Sequence, residues 1–395
     1  MKISKRASSV SASLTLEISA KVKQLRAEGK SIIGFTAGEP DFNTPKHIIE
    51  SAKNALDRGE TKYAPVSGIM ELKKAICEKF KKDNDLYFEP SQIIVSNGAK
   101  SSLYHAIYAL VDEGDEVIIP APFWFTYEEQ VKMCGGKVVR VDTKAENGYK
   151  ITPSELENAI TDKTAVFLIN SPSNPTGALY TESELIELSK VLEKHGVITI
   201  SDEIYEKLIY DGNKHVSIAS VSEYMRNNTV VINGVSKAYA MTGWRIGYLG
   251  APKLLADAIN RLQGQTTSNA CTFAQFASVT ALNEYTSDLE VMVKTYDERR
   301  KYMISRAQKL GVNYINPMGA FYLFMDISNY IGKSFNGKVI NGSMDFASIL
   351  TENGVAVIPG LPFYADNFVR LSYAISLEDI KEGFDRIELF LSKLS

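Results

Sequence analysis

Residues 164–170 read TAVFLIN and residues 196–201 read GVITIS, and between them TESELIELSKVLEKH (181–195) repeats leucine at 185, 188 and 192. The two flanking runs are short, β-branched and apolar on both faces, whereas the intervening segment has the 3.6-residue period of a helix. Thr181 and Glu184 make a capping-box pair at its start, and Gly196 stands where it must stop. A buried strand, a helix and a second buried strand in succession build a parallel sheet covered on both faces.

Outward from this unit the pattern repeats. SIIGFT (31–36), QIIV (92–95), DEVIIP (115–120), KVVRVD (137–142) and TVVIN (229–233) are further strand-like runs. Thr152 followed by Pro153 opens another helix between them. Leu14, Ile18, Val22 and Leu25 give an N-terminal amphipathic helix that Gly29 ends. After RIGYLGAP (245–252) comes a charged stretch from about 255 to 310 without proline, which reads as one long helical run. AFYLFMD (320–326) and NFVRLSYA (367–374) supply the strands of a second, smaller α+β unit. No repeat and no Pro/Ser-rich linker separates the units, so they are expected to pack closely.

Composition narrows the function. The chain has 395 residues, enough for a large core, and its 44 Lys+Arg against 47 Asp+Glu leave a formal charge of −3. No surplus of positive charge exists to displace counterions from a phosphate backbone, so nucleic acid is not an expected partner. The start, MKISKRASSV, has no apolar run after its basic residues, and no stretch approaches the length of a membrane span; a cytoplasmic protein without a membrane partner is expected. Cys77, Cys134 and Cys271 are too far apart for a local metal or redox motif, and the histidines at 47, 105, 195 and 215 have no metal-ligand spacing, so no metal is expected. Gly29-Lys30-Ser31 lacks the earlier glycine of a P-loop, and no strand is followed by a dinucleotide fingerprint.

Chemistry-bearing residues sit instead just past strands, where open α/β sheets place ligands. Asp202 and Tyr205 follow GVITIS; NSPSNPTG (170–177) follows TAVFLI; Lys237, in GVSK, follows TVVIN, with Arg245 eight positions later. Taken singly, each has an ordinary structural explanation, as a helix cap, a turn or a solvated charge. Their order and spacing, however, resemble the class I aminotransferases, which are pyridoxal-phosphate enzymes. GVSKAYAMTGWRIG (234–247) is similar to that family's lysine motif. It is accompanied in the family's order by TAGEPDF (36–42), KYAP and SG (62–68), SNGAK (96–100), the SPSNPTG loop, SDEIY and FVRLSYA.

The resemblance implies a type I PLP-dependent transferase fold: an α/β architecture with a mainly parallel sheet flanked by helices in a large domain of 46–284, and a small α+β domain made from 1–45 and 285–395. It implies that Lys237 holds pyridoxal 5′-phosphate through its amine and moves the substrate proton, tasks that an amine able to gain and lose a proton can perform. Asp202 would keep the ring nitrogen protonated, Tyr205 and Asn174 would bond the ring's phenolic oxygen, and Trp124 would stack on the ring. Gly98, Ala99 and Lys100 at a helix start, with Ser236 and Arg245, would hold the phosphate. Tyr63 would reach the phosphate of a neighbouring subunit, making a homodimer with shared sites. Gly234 departs from the family members that carry a second phosphate-binding serine at that position.

Arg370 matches the arginine that forks onto the α-carboxylate of amino acid and 2-oxo acid substrates; Gly38, Trp124 and Asn174 complete that side. The chain is most similar to the bacterial aspartate aminotransferases that read the distal carboxylate with a lysine. Lys100 stands at that lysine, and Ser13-Leu14-Thr15 resembles an N-terminal segment that helps close over substrate. Aspartate and glutamate with their oxo acids are thus the expected substrates, by a ping-pong transfer. An aromatic, alanine or prephenate-accepting aminotransferase is the alternative, and a non-catalytic PLP-binding regulatory module a distant one.

Overall fold

Almost every apolar run becomes a strand. A computed structural model describes residues 2–12, 14–284 and 286–395; Ser13 lies outside the described residues, as does the side chain of Thr15. In chain order the strands are β1 (Ile33–Gly34), β2 (Ile93–Ser96), β3 (Glu116–Ala121), β4 (Lys137–Asp142), β5 (Thr164–Asn170), β6 (Ile198–Asp202), β7 (Thr229–Gly234), β8 (Gly247–Gly250), β9 (Tyr314–Ile315), β10 (Tyr322–Asp326), β11 (Ser334–Phe335), β12 (Lys338–Val339), β13 (Val355–Ala356), β14 (Ile358–Pro359) and β15 (Phe368–Ser372).

The large sheet has seven strands in the order β2-β8-β7-β6-β5-β3-β4. Only β8 runs against its neighbours; the other pairings are parallel. The expected two-sided burial holds in the middle of the sheet and fails at its edge. β4 has one neighbour, and Lys137, Arg140 and Asp142 are exposed there. Capping boxes at Thr152/Glu155 and Thr181/Glu184 start the helices Pro153–Ala159 and Glu182–His195, and Gly196 ends the latter in a left-handed conformation (φ 70°).

The second sheet, β14-β15-β10-β9, is antiparallel throughout and sets Arg370 opposite Phe324. β1 pairs in parallel with β13, and Val22 and Leu25 of the helix Leu14–Ala27 pack with Ile32 and Ala356. Residues near both ends of the chain therefore share one packed unit. The stretch 255–310 is not one helix but three, Lys253–Thr266, Thr272–Asn283 and Asp288–Lys309. The first break falls on Thr267-Ser268-Asn269, where Ser268 is left-handed (φ 57°) and the Asn269 amide donates to the Ala270 carbonyl. Short polar side chains compete with the helical backbone in this way, and no proline is needed.

Parallel strands deliver their carboxyl ends to one edge, and the register keeps that edge level. Asn170 lies beside Asp202, Asp202 beside Ile232, and Gly247, at the start of the reversed β8, beside both Gly234 and Ser96. Gly247 also lets the helix Ala99–Leu110 begin against the sheet, since a Cβ there would overlap the Ala99 nitrogen and the Gly98 carbonyl carbon. Both neighbours are backbone, so neither can turn aside. Gly247→Ala should cost about 1–3 kcal/mol through forced backbone shifts, as measured by urea unfolding. A variant as stable as the parent would show that the helix can retreat.

Candidate active site

At that level edge lies a cavity of about 780 Å³, walled by both sheets. Lys237 enters it from the turn after β7, and its Nζ donates to the Gly38 carbonyl at 2.5 Å. Burial lowers the ammonium's pKa to about 8; the positive fields of Arg370 and Arg245 push the same way, while Glu39 and Asp202 oppose them. The amine is thus neutral in an appreciable fraction of molecules near neutral pH, the state in which it attacks a carbonyl or accepts a proton.

Asp202, the last residue of β6, is 5 % exposed. The Tyr127 hydroxyl donates to its Oδ2 at 2.8 Å and the Ile204 N–H to its Oδ1 at 3.2 Å. Burial nevertheless raises its pKa to about 6, since two neutral donors do not replace the hydration of a carboxylate. No helix follows, so the cap explanation fails; the carboxylate faces a cavity and, among the described residues, has no cationic partner in contact. Tyr205 meets Tyr322 hydroxyl to hydroxyl at 2.9 Å, and burial holds its phenol well above the ordinary range.

Asn174 is held by the Asn170 side chain, which accepts from the Asn174 N–H at 2.8 Å, and its own Oδ1 accepts from Arg370 Nη1 at 2.8 Å. Arg370, 3 % exposed on β15, lies over the Tyr322 ring at 4.2 Å, and its buried Nε has no partner among the described residues. On the opposite sheet, Trp124 follows β3 and Lys100 Nζ lies 4.6 Å from its ring. Burial, then Arg245, lowers the Lys100 pKa.

Arg245 is left-handed (φ 58°), a conformation that costs energy in a residue with a side chain. Its guanidinium packs on Gly98, filling the space a Cβ would take there. The Gly98 N–H is already given to the Ser96 carbonyl at 2.7 Å, so of the three N–H groups expected to face an anion, those of Ala99 and Lys100 remain, both on the cavity wall. Ser236 is buried on the same wall. Gly234 has backbone of Gly247 and Ile246 close to any added Cβ, which accounts for its lack of a side chain. Tyr63 is 92 % exposed and does not line its own chain's cavity.

Three participants were not legible beforehand. Nothing in the sequence marks Tyr127 or Tyr322 among the chain's other aromatic residues, and Glu39, although inside TAGEPDF, gains its role only from the atoms it meets. Glu39 accepts from the Thr242 hydroxyl at 2.8 Å and supports the charge on Lys237.

The set fits a phosphorylated pyridine aldehyde. Neither Arg245 nor Lys100 has a carboxylate partner among the described residues, and both stand beside a helix N-terminus, a receptor for phosphate. A buried, unpaired carboxylate suits a protonated ring nitrogen, and a lowered-pKa amine suits the aldehyde.

Comparison with known proteins agrees. Residues 30–387 match the family model described as aminotransferase class I and II. The chain is 46% identical over 396 residues to the aspartate aminotransferase of Bacillus subtilis (strain 168), covering 100% of both chains. It is 42% identical over 397 residues to the aspartate/prephenate aminotransferase of Nitrosomonas europaea, covering 99% of this chain and 100% of the relative. The crystal structure of the aspartate aminotransferase from Rhizobium meliloti superposes with a TM-score of 0.97 at 42% identity, covering 100% of each chain.

The Asp202 environment yields a stability prediction for the cofactor-free protein. Its folded pKa, about 6, lies above that of an unfolded aspartate, so the folded state binds more protons between roughly pH 4 and 6 and loses stability as pH rises through that window. Asp202→Asn should therefore raise Tm above pH 6, with the advantage shrinking as pH falls toward about 4. Melting curves of the two proteins across this range check it; an advantage that grows with acid would contradict the assignment.

Proposed function

Because the chain belongs to the class I and II aminotransferases, we propose that it transfers an amino group between aspartate or glutamate and the matching 2-oxo acids in two half-reactions at this cavity. Its cofactor is pyridoxal 5′-phosphate, the group that this family uses. When bound, the cofactor's ring withdraws electrons from the substrate Cα and its aldehyde carbon stores the amino group between half-reactions.

The chain supplies everything else. Lys237 offers a neutral amine to the aldehyde and, once released by substrate, carries a proton to and from the substrate Cα. Asp202 holds a proton on the ring nitrogen by charge pairing, which its own environment, with Tyr127 as donor, leaves it ready to do. Ala99 and Lys100 N–H groups, Ser236 and Arg245 take the phosphate, with Gly98 giving them room. Tyr205 and Asn174 face the ring oxygen and Trp124 the ring.

One observation carries the substrate reading. Arg370, on β15, and Lys100, at the start of the helix Ala99–Leu110, line the same cavity as Lys237, and neither is neutralised by a carboxylate among the described residues. A substrate with two carboxylates meets both; Arg370 takes the α-carboxylate with its planar fork, beside the Gly38 backbone, and Lys100 the distal one. The names of the Bacillus and Rhizobium relatives support aspartate. Prephenate, named for the Nitrosomonas relative, also has a second carboxylate and belongs in the substrate panel.

A cytoplasmic homodimer is part of this reading. The exposure of Tyr63, away from its own cavity, supports a role at the partner's phosphate. So are a small domain of 1–45 and 285–395 and a large domain of 46–284, with Ser13-Leu14-Thr15 resembling a segment that helps close over substrate; the ion pair of Arg299 with Asp41 at 2.9 Å and the β1–β13 pairing support the joining of the two chain ends. Among the described residues no helix is long and apolar enough to cross a membrane.

The test is a half-reaction screen, in which the loaded enzyme is mixed with single amino acids and the cofactor absorbance is followed. Arg370→Leu should weaken every substrate by about 2–5 kcal/mol in kcat/KM, because all share the α-carboxylate. Lys100→Ala should penalise aspartate and glutamate by at least about tenfold more than alanine or phenylalanine. Equal losses for all four would remove the dicarboxylate assignment and leave an aminotransferase of other specificity. Lys237→Ala should abolish turnover; near-parental rates without added amine would take that lysine out of the proton transfer.

A further inference from the structure

Behind the cavity, on the other side of β6, a second set of polar groups is buried and used by none of the steps above. Glu203 is fully buried. Four donors converge on its two oxygens: Ser201 Oγ at 2.8 Å and Ser217 Oγ at 2.6 Å on Oε1, His215 Nε2 at 2.9 Å and Asn84 Nδ2 at 3.3 Å on Oε2. That is the full complement a carboxylate anion accepts. His215 meets Glu203 through Nε2, and its Nδ1 is buried without a partner among the described residues.

Glu206, three residues on, ion-pairs with Lys79 and accepts from Asn84 Nδ2 at 2.8 Å, while Lys79 Nζ also donates to Asn84 Oδ1 at 2.6 Å. Burial alone would raise the Glu206 carboxyl, but Lys79, His215 and Lys207 outweigh it and hold it well below the usual carboxylate range. Lys207 closes the group by pairing with Asp83 at 2.8 Å. The helix Met70–Asn84 thus supplies Lys79, Asp83 and Asn84, all gripping residues 203–207. Glu203, Glu206 and His215 are close enough together to suggest a metal site, yet the cation that two buried carboxylates require is already present as the Lys79 ammonium.

The gripped residues alternate with the ones that face the cofactor. Strand geometry sends Ser201 and Glu203 to one side and Asp202 to the other, and Glu206 directly follows Tyr205. We propose that Glu203 is a positioning residue for the cofactor: saturated by its four donors and backed by the Glu206–Lys79 pair, it fixes the turn 202–205, and hence the angle and distance at which Asp202 and Tyr205 meet the ring. A network in which every lone pair is used has one geometry, whereas one left short of a donor has several. This rests on the cofactor roles given above to Asp202 and Tyr205.

Glu203→Gln removes the charge and replaces one oxygen by an NH₂ group, so the Ser201 and Ser217 hydroxyls must turn from donors to acceptors and the saturated geometry of the network is lost. Ser201→Ala removes a single donor and leaves the rest of the network in place, which guards against a first variant that does not fold. Three quantities are read: Tm of the cofactor-free protein, Kd for pyridoxal phosphate added to it, and the pH midpoint of the bound cofactor's absorbance change. Glu203→Gln should raise Kd by about tenfold and displace the midpoint, and Ser201→Ala should do the same more weakly.

In the double variant with Asp202→Asn, loss of Glu203 should add clearly less than it does in the parent, because part of its effect passes through Asp202 and only the part through Tyr205 remains. A lowered Tm with Kd and midpoint unchanged in the single variants, or full additivity with Asp202→Asn, would overturn the proposal, as would an unfolded Glu203→Gln beside a Ser201→Ala identical to the parent. If Asp202→Asn alone left Kd and midpoint untouched, the cofactor reading of Asp202 would fail instead, so the two failures are distinguishable.

Discussion

The approach of one helix start to one reversed strand sets the terms for the rest of the molecule. Gly247 on β8 has no side chain, so the backbone at Gly98 and Ala99 settles against it, and Arg245, two residues before Gly247, folds its guanidinium onto Gly98. Two pieces of chain far apart in sequence, 98–100 and 245–247, then bring the Arg245 guanidinium and the N–H groups of a helix start to one point. A dianion such as a phosphate can be held there with few long side chains to order; burial first, and the field of Arg245 second, lower the Lys100 pKa beside it.

From that anchor the level sheet edge determines what lies where. Asp202 and Lys237 leave adjacent strands, β6 and β7, in the same direction, and both line the cavity beside the start of the helix Ala99–Leu110, where they would meet the proposed cofactor. The electrostatic state of the pair matches the task. Burial disfavours the charged form of both, raising the Asp202 carboxyl to about 6 and lowering the Lys237 amine to about 8, and a partner bringing complementary charge or covalent attachment would relieve each.

Much of this was legible in the sequence, for identifiable reasons. The strands and their parallel arrangement follow from apolar runs such as TAVFLIN and GVITIS, with capped helices between them. The site residues follow from motifs that hold their order over the whole chain. Other features were not legible because they depend on which atoms meet. The Gly98 N–H turned back on Ser96, Tyr127 emerged as the donor to Asp202, and the run 255–310 broke at Ser268 through side-chain competition that a periodicity argument does not weigh. Glu203, adjacent in sequence to Asp202, looked like one more acidic residue until its four donors were in view.

The central claim is that this edge holds pyridoxal phosphate on Lys237 and on no other amine, although Lys100 lines the same cavity. Loading the cofactor-free protein, reducing it with borohydride and mapping the modified peptide by mass spectrometry tests that claim directly. Modification at Lys237 in one-to-one stoichiometry is the expected result. Modification at Lys100, or spread over surface lysines, would contradict the account.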